Sequence, residues 1–277
     1  MPRPSSSRFR PGVLAAAVAI AVAAVIVVLA MRPWSAPAAA PTSAPSPVAS
    51  STPTASATRG PTPTPTPTPT ASRGPVDAVH APATSTIAAV RGASIAVHTA
   101  PGGAVTTTLP NPQASGAPLV FLVVAQQDGW VQVQLAQRPN GSTGWVEKTS
   151  VDLSADPYAI VVTTSTNTLE LYKAGKVVDS YPVATGTGGT PTPTGRFALT
   201  ELLAPTNAGY GPYAYGTTAF SDVLNSFGGG PGQIGLHGTD DTSSIGTAAS
   251  HGCVRMHNAD ITALAGLLPL GTPIQVR

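Results

Sequence analysis

The 277-residue chain has a single cysteine, so no disulfide can form within it. Charged residues make up only 9% of it and aromatic residues 5%. No basic stripe with interleaved aromatics occurs, which argues against a nucleic-acid partner. The formal net charge of +2 is unevenly placed: Arg3, Arg8 and Arg10 crowd the N-terminus. From Pro157 onward five Lys or Arg face seven Asp or Glu, so this part is weakly acidic. Helical periodicity is scarce too. What abounds is proline, 30 residues, and glycine, 28. That is more than one ordinary globular domain carries, so part of the chain must be linker.

One long apolar run is present. Val13–Met31 holds 19 residues without a charge, and as a helix it would be roughly 28 Å long, close to the hydrocarbon thickness of a bilayer. Residues 1–12 then form a basic cytoplasmic tail, and everything after the run lies outside the membrane. The small residues of "APAAA" (Ala36–Ala40) would suit a signal peptidase, but the run exceeds the usual signal length. An uncleaved single-pass anchor is therefore the expectation, with secretion as the alternative. Residues 32–84 contain 13 prolines, many in "PTPTPTPTPT" (Pro61–Thr70), and almost no large apolar side chain. Such a segment cannot bury enough surface to offset its ordering entropy. Fully extended it would reach on the order of 160 Å.

Between about 85 and 154 the pattern becomes short alternating runs bounded by Gly, Pro and Asn, the mark of a small five- or six-stranded β domain. Trp130 and Trp145 are either rim packing or exposed platforms. Residues 157–277 again read as mostly β, with three strands from Tyr158, a strand after the Pro-Thr-Gly turn and a final strand in "GTPIQVR". The exception is "NADITALAGLLPLG" (Asn258–Gly271), expected as a helix with Asp260 at its N-cap. Its core face would hold Ile261, Leu264, Leu267 and Leu268.

The lone thiol lies in "SHGCVRMHN", on what reads as a loop leading into that helix. A free cysteine is only about 3% thiolate at pH 7, so a nucleophile needs a basic or cationic partner. Three histidines are candidates: His237 in "IGLHGTDD", His251 and His257. If the stretch is extended, His251 and Cys253 share a face; His237 can approach from another strand. Asp240, Asp241 or the Gly238 carbonyl could orient an imidazole. Gly252 permits the backbone to turn N–H groups toward an oxyanion. A buried inert cysteine and a zinc site made by the Cys-x-x-x-His pair Cys253 and His257 with His251 and His237 are the competing readings. Spacing alone does not choose among them.

"IGLHGT" followed by "SHGCVRMHN" resembles the active-site signature of the L,D-transpeptidase catalytic domain, the YkuD family of peptidoglycan cross-linking enzymes. "TPTGRFAL" (Thr192–Leu199) is similar to that family's Thr-Pro-x-Gly-x-Phe segment, and the strands from Tyr158 to its N-terminal strands. "DGWVQVQL" with "GSTGWVEKTSV" is similar to the paired strands of bacterial SH3-like domains. The fold class expected is thus mostly β: a small SH3-like barrel over 85–154, a β-rich catalytic domain over 157–277 with one C-terminal helix, and the N-terminal transmembrane helix. The resemblance implies that Cys253 is the nucleophile and His237 the base, with Gly238 and Ser250 as orienting residues. The N–H groups of Gly252 and Cys253 would bind the oxyanion. His251 would shape the pocket, and Arg255, Tyr210, Tyr213 or Tyr215, and Asn258 would contact substrate. It implies no metal or organic cofactor, peptidoglycan stem peptides as donor and acceptor, and acylation by carbapenem β-lactams. A 3-3 cross-link formed with release of D-alanine is the expected reaction. An L,D-carboxypeptidase and an inert wall-binding protein are the alternatives.

Overall fold

The computed structural model describes residues 78–277. The basic tail, the anchor and most of the Pro-rich linker lie outside the described residues. Among those described, no helix is long and apolar enough to cross a membrane. The expected linker boundary at 84 falls inside packed structure. Gln275 receives a hydrogen bond from the His80 N–H (2.7 Å) and donates one to the Ala78 carbonyl (2.8 Å), and Ala81 packs on Ala159, Val161 and Tyr172.

Seven strands follow in the first β region: β1 (Ser85–Val90), β2 (Ser94–His98), β3 (Val105–Pro110), β4 (Val120–Gln127), β5 (Trp130–Gln134), β6 (Thr143–Glu147) and β7 (Val151–Asp156). They form one antiparallel sheet in the order β3-β2-β6-β5-β4-β1-β7, more strands than the five or six read from the sequence. Alternation explains the inner face. Val131 and Val133 of β5 are fully buried with Val97, Phe121 and Val146, whereas Gln132 between them is half-exposed. Trp130 and Trp145 are half-buried, and Trp130 meets His98 edge-on at 4.8 Å.

The second region contains β8 (Tyr158–Thr163), β9 (Thr168–Lys173), β10 (Lys176–Pro182), β11 (Thr185–Gly186), β12 (Gly195–Leu203), β13 (Ala214–Phe220), β14 (Gln233–Gly238), β15 (Ala248–Ser250), β16 (Val254–Met256) and β17 (Pro273–Val276). Eight of them make a sheet ordered β10-β9-β8-β17-β12-β13-β14-β16, while β11 and β15 pair separately. β8 is central and reads almost continuously apolar, as a strand covered on both faces must. β10 is the edge. It exposes Val177 and Val178 but carries a bulge there, with Lys176 and Pro182 at its ends, which guards against edge pairing.

The one α-helix described, α1 (Asn258–Ala265), is shorter than expected. His257 occupies the N-cap and Asp260 lies in the first turn, where its charge suits the helix dipole. Gly266 caps the C-terminus and Pro269 follows, so the chain leaves the helix before Leu267, which is exposed instead of buried. Ile261, Leu264 and Leu268 reach the core as expected. The buried Tyr215 hydroxyl donates toward the carbonyls of Leu264 (3.2 Å), which also accepts from the Leu267 and Leu268 N–H groups, and Leu268 (3.0 Å), tying β13 to the helix end.

The two β regions touch along β4, β5 and β12. Gln134 donates to the Arg196 carbonyl (2.7 Å) and Gln113 to that of Thr200 (2.8 Å). Asp156, fully buried at the junction, accepts from the Tyr158 N–H (2.9 Å) and the Thr272 hydroxyl (2.7 Å). Burial nevertheless pushes its carboxyl pKa up.

Candidate active site

The site is built on two adjacent parallel strands. β14 and β16 pair with Leu236 opposite Val254, His237 opposite Arg255 and Gly238 opposite Met256. That register sets Cys253, immediately before β16, beside Gly235. The Gly235 N–H points at the Cys253 sulfur, 3.3 Å away. A Cβ at Gly235 would sit 3.7 Å from His237 Cδ2 and 3.8 Å from Cys253 Sγ. The glycine therefore keeps the space between imidazole and thiol open. A short strand, not a direct loop, separates the cysteine from α1.

His237 is buried, 4% exposed, at the end of β14. Its Nδ1 lies 2.6 Å from the Gly238 carbonyl. A carbonyl can only accept, so the hydrogen-bond network assigns the proton to Nδ1 and leaves Nε2 with a free lone pair. Asp240 and Asp241, the other orienting candidates, are engaged elsewhere: Asp240 accepts from Asn258 Nδ2 (3.2 Å), and Asp241 from the Ser243 hydroxyl (2.6 Å). Burial lowers the imidazole pKa to about 4; the Gly238 hydrogen bond opposes this and the Arg255 charge adds to it. The ring is a neutral base at physiological pH. Burial also pushes the Cys253 thiol up, against the Gly235 N–H and the Arg255 charge, which both favour thiolate. Burial thus favours the uncharged form of both the thiol and the imidazole.

The loop that carries Cys253 is clamped. The Ser250 hydroxyl accepts from the Gly252 N–H (3.0 Å) and donates to the Cys253 carbonyl (2.5 Å). The buried Thr192 hydroxyl donates to the Gly252 carbonyl (2.9 Å) and accepts from the Gly186 N–H (2.9 Å). Gly252 itself has φ +117°, and a Cβ there would lie 2.9 Å from Ile234 Cδ1. Only glycine meets both demands. Its N–H, expected to face an oxyanion, is turned to Ser250 instead. The same backbone reversal separates His251 from Cys253: the His251 ring is exposed and stacks on Phe227 at 5.0 Å, with no hydrogen bond to the thiol.

Residues 157–276 match the family model described as the YkuD L,D-transpeptidase catalytic domain. The Bacillus subtilis protein YqjB, assigned as an L,D-transpeptidase, is 33% identical over a region covering 45% of this chain and 73% of its own length. The chain belongs to the L,D-transpeptidase family. YkuD of Bacillus licheniformis is 35% identical over 120 residues, which cover 43% of this chain and 66% of that relative. A solved L,D-transpeptidase (Yku) from Stackebrandtia nassauensis is 26% identical, covers 43% of this chain and 55% of its own, and superposes with TM-score 0.32. Arg138 and Asn140, considered below, fall outside the region matched to the L,D-transpeptidase family model.

The other expected site residues divide. Tyr210 tilts over the His237 ring at 4.6 Å. Its phenol pKa is raised by burial first, then by the neighbouring Cys253 charge, with Arg255 opposing. Arg255 is half-buried and pairs with Asp241 across 3.9 Å. Tyr213 packs half-buried against the core. Tyr215, with its hydroxyl tied to the α1 end, is structural and does not line the cleft. Asn258 Oδ1 is wedged against Gly211 and Gly238 without a hydrogen-bond donor, and its Nδ2 holds Asp240. His257 serves the helix start through its carbonyl, which accepts from Asp260 (3.0 Å) and Ile261 (3.1 Å). Among the described residues no three His, Cys, Asp or Glu side chains converge to hold a metal ion, so the zinc reading lacks its ligand set here. Sequence reasoning missed Thr192, Gly235 and Phe227. Thr192 and Gly235 stood in quoted motifs but without a role; Phe227 had no local signal.

Proposed function

We propose that this chain is a cysteine-dependent peptidoglycan L,D-transpeptidase, anchored by residues 13–31 and held at a distance by its Pro-rich linker. The observation that carries the reading is the neutral His237 whose Nδ1 is fixed on the Gly238 carbonyl, on the strand that also directs the Gly235 N–H at the Cys253 sulfur. That is a nucleophile, a base and an orienting group in the order acyl transfer needs.

In the mechanism, Sγ attacks the carbonyl of the third stem residue while His237 Nε2 accepts the thiol proton. The Cys253 N–H is the nearer oxyanion donor, since Gly252 is engaged. Collapse breaks the C–N bond, imidazolium gives its proton to the departing D-alanine amine, and a thioester remains. An amine from a second stem then attacks, loses its proton to His237 and displaces the thiolate, closing a 3-3 cross-link. Arg255 supplies a bidentate partner for a stem carboxylate, and Tyr210 and Tyr213 form one side of the cleft. The SH3-like reading of residues 85–154 makes that module a wall-facing companion to the catalytic domain. Carbapenem β-lactams should acylate the same sulfur.

Cys253→Ala is expected to abolish D-alanine release from a tetrapeptide stem and the covalent mass gain after carbapenem exposure. Retention of either by a folded variant would remove the cysteine mechanism.

A further inference from the structure

The loop between β13 and β14, residues 221–232, reaches the residues that surround Cys253. Its tip is a tight hairpin in which Phe227 and Gly230 exchange backbone hydrogen bonds (3.0 and 2.9 Å). Phe227 stacks on His251, next but one to Cys253, and a Cβ at Gly228 would sit 3.8 Å from the Tyr210 hydroxyl. Phe227 is 43% exposed, so the stacked pair presents an open face beside the thiol. The loop base is held by residues outside the family match. Arg138, between β5 and β6, donates to the carbonyls of Ser221 (2.6 Å), Leu224 (2.9 Å) and Pro231 (3.2 Å), and its guanidinium lies over the Phe220 ring at 5.2 Å. Asn140 donates to the Phe220 carbonyl (2.8 Å) and accepts from the Phe220 N–H (2.8 Å). Both residues belong to the first β region, and their contacts converge on one substrate-side loop of the second.

We infer that Arg138 and Asn140 are positioning residues for substrate binding: the N-terminal β module sets the cleft wall by gripping the base of the 221–232 loop. This rests on the transpeptidase reading for its substrate. Three carbonyls at fixed spacing suit a planar guanidinium, which offers five donors in a rigid fork; a lysine ammonium cannot serve all three in that geometry. The grip acts on the wall and not on the reacting atoms. β14 is secured separately near the thiol, because Gly235, Leu236 and His237 pair with Gly216, Tyr215 and Ala214 of β13, and Leu236 to Gly238 pair with β16. Loosening the loop should therefore impair capture of the stem while leaving Cys253, His237 and the Gly235 N–H in place.

The test compares full-length wild type with Arg138→Ala, Asn140→Ala, Phe227→Ala and the Arg138→Ala/Phe227→Ala pair. Two readouts apply: steady-state D-alanine release from a synthetic tetrapeptide stem, and amide hydrogen exchange. Arg138→Ala should speed exchange in 221–232 at least tenfold and leave 253–256 unchanged. Its KM should rise fivefold or more with kcat within about twofold. Arg138→Lys should restore less than half of the loss, and the double variant should be no worse than Phe227→Ala. Unchanged KM in folded Arg138→Ala and Asn140→Ala, or multiplying effects in the double variant, would overturn the inference; Asn140→Ala carries the test alone if Arg138→Ala does not fold. A wild type without turnover would instead sink the transpeptidase reading and the substrate part with it. Exchange in 221–232 then decides separately whether Arg138 holds the loop.

Discussion

Thr192→Val is the most direct probe of the clamp on the nucleophile loop, because it conserves shape and removes one hydroxyl. The wild-type hydroxyl is fully used, accepting from Gly186 and donating to Gly252, and the residue is only 4% exposed. Valine leaves the Gly186 N–H and the Gly252 carbonyl without these partners in a buried setting. An orphaned buried group costs about 1–3 kcal/mol, so the pair should cost about 2–6 kcal/mol. For a folded unit of about 200 residues that corresponds to a fall in Tm of roughly 4–24 °C. Function should suffer as well. The Gly252 carbonyl belongs to the same peptide unit as the Cys253 N–H, so in the proposed mechanism a freed loop misplaces sulfur and oxyanion donor together, where a 1 Å error can slow acylation about 100-fold. Thermal denaturation together with the rate of carbapenem mass gain measures both effects, and Thr192→Ser, which keeps the hydroxyl, should retain most of each. A valine variant that melts within 1 °C of wild type and acylates at its rate would refute the clamp.

Two further outcomes follow from the same geometry. The folded His237 pKa of about 4 lies below its ordinary 6.5, so folded protein binds fewer protons than unfolded. The resulting stability is fully present above pH 6.5 and is lost as pH falls toward 4, a decline of about 3 kcal/mol from this residue. Chemical denaturation between pH 7 and 4 should show that slope and His237→Phe should flatten it; the acid limb of kcat/KM should likewise centre near 4, and a midpoint near 6.5 would contradict the burial argument. Gly235→Ala places a methyl at ordinary contact distance from His237 and Cys253 but only 3.3 Å from the Tyr215 carbonyl, so melting should fall by several degrees while acylation drops at least tenfold; equal acylation rates would show that the opening at Gly235 has no role.

Much of this was readable in the linear sequence: its composition divided the chain, alternation marked the strands, and the single thiol lay among three histidines. Those features depend on residue type and local spacing, which a chain displays before it folds. Which histidine lies on the strand beside the cysteine depended on the parallel pairing of β14 with β16, a contact between segments with no local signature. The helix end at Gly266, the exposure of Leu267 and the diversion of the Gly252 N–H to Ser250 had the same origin. Each is a competition for a backbone donor or a buried face, and tertiary packing decides the winner. The grip of Arg138 and Asn140 on a loop some eighty residues away is the extreme case. Nothing in "RPNG" signals it, because carbonyl groups become a binding site for guanidinium only after the loop that bears them has closed.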